Sequence, residues 1–259
     1  MPSSRASTVS SFTIIKGSMI EETYVVMRDW VFEWSQEENL SHIQKNNTIG
    51  AQSSNWLRDF RSVIHRRYNP NTKDRALALL AKNSASMEVW KPIQLWHMTR
   101  DEFLVRDFFI NWLFNEYEEG AYRIRIHDPF GYLRELHSKG LVEKQWTDRT
   151  TREVAGSLLR MAVDFGLMSG KNIKEFASYH MLDVSFLYLL HAMYEVYGNA
   201  RDVVHSPDWR LFLMSPPDVE RELFRLHQFR KLRYEVAGSL VELTLPCSSA
   251  AAFVEEMAT

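Results

Sequence analysis

Apolar residues recur along this chain at intervals of three and four, the period of helices that bury one face. Over residues 19–34 the stripe is Tyr24, Met27, Val31 and Trp34, and Glu21 and Glu22 fall in the first turn, where carboxylates complement the helix dipole. Residues 37–45 repeat the pattern with Leu40 and Ile43 inward. Asn46 and Asn47 suit a helix end, because Asn tolerates left-handed backbone angles. Gly50 falls in the following turn, and Ser53 or Ser54 can cap the next helix. That helix is predicted over residues 55–68, stopping before Asn69-Pro70. At about 100° per residue, Trp56, Phe60, Val63 and Ile64 share one face. Ser54, Arg58, Arg61 and His65 share the opposite face, with Arg66 and Arg67 at the flank. A basic helix held by a partner helix across a short polar turn is a layout that presents side chains to a DNA groove.

Further along, residues 72–82 are rich in Ala and Leu, and residues 87–117 supply one or two strongly apolar helices with Pro92 in a first turn. Glu118-Glu119-Gly120 is the predicted linker. It separates a helix-turn-helix-like domain, residues 12–120, from a winged-helix-like domain, residues 121–259; residues 1–11, small and polar, are expected to be disordered. Asp128-Pro129 starts a helix over residues 130–138. Thr147 caps another over residues 148–165, with Val154, Leu158, Met161 and Phe165 inward. Arg149, Arg152 and Arg160 lie on its other side, with Gly156 between them leaving room for close approach. Residues 181–196 form a buried helix, followed by a proline-punctuated loop over residues 205–217. Residues 218–229 make a helix with Val219, Leu223 and Leu226 inward. The alternation of residues 232–236 and 240–245 about Ala237-Gly238-Ser239 then predicts a β-hairpin. Helix followed by hairpin is the order of a winged helix, and Arg221, Arg225, Arg230, Lys231 and Arg233 make its start basic. Residues 248–257 form a last short helix. The fold class is therefore mainly α, multi-helical, with helix-turn-helix or winged-helix-like modules and a small C-terminal β-hairpin.

Charge narrows the functional reading. The formal net charge is −2, so only local clusters of cations can serve nucleic acid. One cysteine, Cys247, excludes an internal disulfide and a cysteine-based zinc cluster, and fits a cytoplasmic location. No stretch reaches the roughly 18 uninterrupted apolar residues of a membrane helix. The most apolar, residues 181–197, contains Asp183, His191 and Glu195. No Walker A loop, GxGxxG, HExxH or GxSxG is present. The histidines are scattered, and paired acids such as Glu118/Glu119 sit at predicted helix ends. We therefore expect no catalytic residue, no metal and no cofactor.

Particular residues carry a family likeness. Ser11-Phe12-Thr13 is followed by Gly17 and by Ile20-Glu21-Glu22-Thr23. Then come Asn46-Asn47, Ser54, the Arg58, Arg61, Arg66, Arg67 helix, residues 103–109, and Asp164-Phe165-Gly166-Leu167. In this order and spacing, over residues 10–200, the chain resembles the BrxA family of BREX bacteriophage-exclusion systems. It departs from the family pattern at Lys16-Gly17, where a paired glycine is expected. The resemblance implies a non-enzymatic, mainly helical protein of phage defence that binds double-stranded DNA beside other BREX proteins; the hydropathy of the chain, not the resemblance, argues against a membrane partner. Contact would run through Arg58, Arg61 and His65, with Arg66 and Arg67 reaching phosphates. Arg149, Arg152 and Arg160, or Arg230, Lys231 and Arg233, would make a second contact. The alternative is a protein-interaction scaffold without direct DNA contact: Trp90, Trp96, Trp112, Trp146 and Trp209 are not all assigned to cores by the pattern, and an exposed cluster of them would mark a partner surface.

Overall fold

A computed structural model describes residues 9–142, 144–238 and 240–257. Residues 1–8, most of the segment expected to be disordered, lie outside the described residues, as does Ser239 of the hairpin turn. The first element already occupies the end of that segment: α1, Ser11–Ile15, is capped by the Ser10 side chain, which accepts from the Thr13 N–H. A turn through Gly17, at φ 83°, leads into α2, Ile20–Asp29. This helix is shorter than predicted. Trp30 turns extended and goes inward, where its Nε1 donates to Asn71 Oδ1 at 2.9 Å. The helix α3, Gln36–Asn46, opens with a capping box between Ser35 and Glu38 and closes on left-handed Asn47. Ser53 caps α4, Ser54–Arg67. Next come α5, Arg75–Lys82, and α6, Met87–Thr99. Ser86 caps α6, so Pro92 sits in the second turn rather than the predicted first. The predicted apolar run continues as α7, Phe103–Asp107, a π-helical segment, Phe108–Leu113, and α8, Phe114–Glu118.

Beyond Gly120 the chain forms β1, Ile124–Arg125, α9, Phe130–Ser138, and α10, Asp148–Asp164. Pro129 occupies the cap of α9 rather than its first helical position, and the Asp128 carboxylate accepts from the Arg125 N–H at 2.6 Å. Then follow β2, Met168–Ser169, β3, Ile173–Phe176, and α11, Asp183–Tyr197. Strands β1, β3 and β2 pair in that order, antiparallel, a small sheet that the sequence pattern did not predict. Gly170 closes its turn: a Cβ there would lie 2.2 Å from the Ile173 carbonyl oxygen. A short helix that was not predicted, α12, Ala200–Val204, follows α11, and the predicted loop over residues 205–217 holds a 3-10 helix, Pro207–Phe212. The chain ends with α13, Pro216–Gln228, the hairpin β4, Arg233–Ala237, and β5, Leu240–Thr244, and α14, Ala250–Glu256. The fold is mainly α, as predicted, with the predicted helix-then-hairpin order at its C-terminal end.

The two halves either side of Gly120 share one continuous hydrophobic cluster running from Ile14 to Val254. Helix α1 packs on α10, α6 on α11, and α5 on α14. A buried polar chain ties α6 to α11: His97 Nδ1 donates to Asp74 Oδ1 at 2.7 Å, and Tyr188 OH donates to His97 Nε2 at 2.9 Å. Burial holds the His97 pKa below its ordinary value, so the ring is neutral at neutral pH and its two nitrogens take these two roles.

Candidate nucleic-acid interface

The phase of α4 decides where its cations go. Phe60, Val63 and Ile64 are buried, and Trp56 is half-buried against Phe60, ring centroids 5.5 Å apart. Ser54, Arg58 and His65 are exposed on the other side. Arg58 is 65% exposed, and its one acidic neighbour among the described residues is Asp59, at 3.9 Å. Arg61 is half-buried and ion-paired to Glu37 of α3. The two arginines assigned to phosphates behave differently. Arg67 is fully buried. Its Nε donates to Glu102 Oε1 at 3.1 Å, Nη1 to the Gly17 carbonyl at 2.8 Å, and Nη2 to the Thr13 carbonyl at 2.7 Å. Arg66 is 19% exposed and lies against the same Glu102 carboxylate. Arg67 is thus no phosphate ligand; it clamps α1 to α4. The signal was present: Arg67 lies seven residues after Phe60 and four after Val63, on the core face of the wheel.

On α10, Val154, Leu158, Met161 and Phe165 are buried as phased, and Arg149, Arg152 and Arg160 are exposed. Arg149 pairs with Glu153 one turn on, at 3.0 Å. Arg152 and Arg160 have no ion-pair partner among the described residues. Around the hairpin the charge is largely compensated. Arg225 and Lys231 both bind Asp183, Lys231 at 2.7 Å. Hydrogen bonds from Arg225 and then Lys231 hold the Asp183 pKa down at about 2. Arg233 pairs with Glu235 at 2.9 Å, and Arg221 with Asp218 at 2.9 Å. Arg230, in a left-handed turn, is exposed.

Tertiary packing joins two of these three basic regions. Helix α1 lies between α4 and α10. Lys16 at its end pairs with Asp59 of α4 at 2.7 Å, the Ser157 hydroxyl of α10 donates to the Ile15 carbonyl at 3.5 Å, and Ser18 donates to Asp164 at 2.7 Å. A cleft of about 730 Å³ opens at this junction, with Lys16, Trp56, Lys91, Ser157 and Arg160 in its walls. The hairpin takes no part in it. Lys16 and Lys91 were not among the predicted contacts. Each is a single cation in a weakly patterned stretch, so only proximity distinguishes it.

A family model described as BrxA matches residues 11–192. The chain belongs to the BrxA family. It is accordingly a component of BREX phage defence. No curated protein and no solved structure matches it. The segment matched to BrxA holds α1, α4, α10 and the cleft, whereas α13 and the hairpin lie beyond it. Among the described residues, no helix is long and apolar enough to cross a membrane. Nor is any group of three or more His, Cys, Asp or Glu side chains placed to hold a metal ion. The tryptophans left without an assigned core form no exposed cluster: Trp90, Trp96 and Trp209 are buried, and Trp112 and Trp146 pack against the core.

Proposed function

We propose that this BrxA-family chain is a non-enzymatic, cytoplasmic, double-stranded-DNA-binding component of a BREX system. Arg58 and His65 of α4 and Arg152 and Arg160 of α10 meet the phosphate backbones from either side of α1. One observation carries the reading: α1 ties α4 and α10 together by Lys16–Asp59 and Ser157–Ile15, so that two helices distant in sequence, each bearing exposed arginines, become neighbours across α1. The scaffold alternative loses its main support with the tryptophans inside. Contacts of this kind go to phosphates and carry little sequence information. Other BREX proteins act beside it.

A gel-shift series tests the reading. If about four phosphates are neutralised, log K falls with log salt at a slope of about −3.6. Replacing Arg58 and Arg160 together by Glu abolishes the shift while the melting temperature holds. Affinity unchanged by salt, or by that double substitution, assigns the basic surface to solvent instead.

A further inference from the structure

The cleft between α1, α4 and α10 has a composition that duplex phosphate contact does not explain. Two cations without an ion-pair partner among the described residues enter it, Lys91 of α6 and Arg160 of α10, while Lys16 at the end of α1 lines it closed on Asp59. Three carboxylates also line it, Glu21 and Glu22 at the start of α2 and Asp164 at the end of α10, the last already accepting from Ser18. A groove built for backbone phosphates alone gains nothing from those carboxylates, which repel them. A nucleotide, by contrast, is itself bipolar. Its phosphate accepts from cations, and the Watson–Crick edge of its base carries N–H donors that carboxylates accept. Those donors are free only when the base is unpaired.

The wall also holds an aromatic platform. Trp56 is half-buried, and its indole lies 12° from parallel to Phe60, which is wholly buried beneath it. One face of the indole is therefore backed by the core. A ring held in this way is a stacking surface that loses little freedom when a base lies on it. The cleft volume of about 730 Å³ falls within the roughly 300–1,000 Å³ usual for small-molecule sites, ample for one nucleotide.

We infer that this cleft receives one unpaired nucleotide of the bound DNA, at a bulge or frayed end, with its phosphate between Lys91 and Arg160 and its base on Trp56. The inference rests on the DNA-binding reading above and names a further ligand for the same surface. The chain then prefers duplexes that offer an extrahelical base.

Competition titrations separate the two claims. Fluorescence anisotropy compares a blunt duplex with the same duplex carrying a single-base bulge. The expected result is about tenfold tighter binding of the bulged duplex, in line with the worth of one base–aromatic stack. Trp56→Ala brings the bulged-to-blunt ratio to about one, and Trp56→Phe restores most of it. Lys91→Glu, at a half-buried wall position away from the α4 core face, lowers the ratio independently should Trp56→Ala unfold the protein. Equal affinity of the unaltered protein for both duplexes overturns the inference and leaves the duplex reading standing. So does a preference that survives both Trp56→Ala and Lys91→Glu. Failure to bind either duplex overturns both.

Discussion

Along α10, Arg152 and Arg160 project from a helix whose neighbours leave them without an ion-pair partner among the described residues. Around the C-terminal hairpin, Arg225 and Lys231 share Asp183, and Arg233 is closed on Glu235. Counted as residues, the hairpin region is the more basic; counted as available charge, α10 is. A guanidinium already bonded to a carboxylate must break that bond to meet a phosphate, so its net gain on binding is small. Arg67 marks the extreme case, a cation wholly withdrawn from solvent to hold α1 in place.

The largest effect comes from that withdrawn cation. Arg67→Ala leaves Glu102 buried without its closest partner and frees two carbonyls of the α1 region, at a cost of about 3–5 kcal/mol. Chemical denaturation measures it; a loss under 1 kcal/mol would mean that α1 is held by other contacts. Next in size is the direct contrast between the two surfaces. Arg152→Glu with Arg160→Glu weakens duplex binding by at least about tenfold at moderate salt, whereas Arg230→Glu with Arg233→Glu changes it less than about twofold. Equal losses from the two pairs would abolish the distinction drawn here. Salt sharpens the same contrast. Removing Arg152 and Arg160 makes the log–log slope shallower by about 1.8, two phosphate contacts' worth, and removing the hairpin pair leaves it. The smallest effect is on stability at the hairpin. Asp183→Asn costs no more than about 1 kcal/mol, because the site is partly open to solvent. The folded Asp183 pKa is about 2 against an ordinary 3.8, so its contribution is whole above pH 3.8 and is lost as pH falls towards 2. A melting series from pH 5 down to pH 2 on both proteins reads it: their curves converge at the acid end.

Much of this was legible in the sequence where the signals are local. Thr147 caps α10 and Gly166 follows its end, as capping chemistry requires. Tyr234 pairs with Leu243 on the inner face of the hairpin, as alternation predicts. The misreadings are of another kind. The β1–β3–β2 sheet has strands of two to four residues, too short for alternation to register. Proline favours a first helical turn, yet Ser86 starts α6 earlier and leaves Pro92 in the second. No periodicity assigns Trp90, Trp96 and Trp209 an interior, yet all three are buried. Of the twelve basic-face residues proposed for DNA, Arg67 is buried, and Arg66, Arg61, Arg149, Lys231 and Arg233 have acidic partners. Ser54, Arg58, His65, Arg152, Arg160 and Arg230 stay exposed, with Arg58 loosely near Asp59.

The sequence by itself determined most of the longer helices, the inward faces of α4, α10 and α13, the hairpin and, through ordered residues from Ser11 to Leu167, the family, though Trp34, read as inward, is exposed beyond the end of α2. Period, caps and turn residues act over a few positions, so a linear text can carry them. Only the tertiary structure decided which cations remain available and which basic helices become neighbours. Pairing Arg67 with Glu102, or setting α4 beside α10 across α1, joins residues tens of positions apart through burial and Coulomb attraction, and neither force leaves a mark on local spacing.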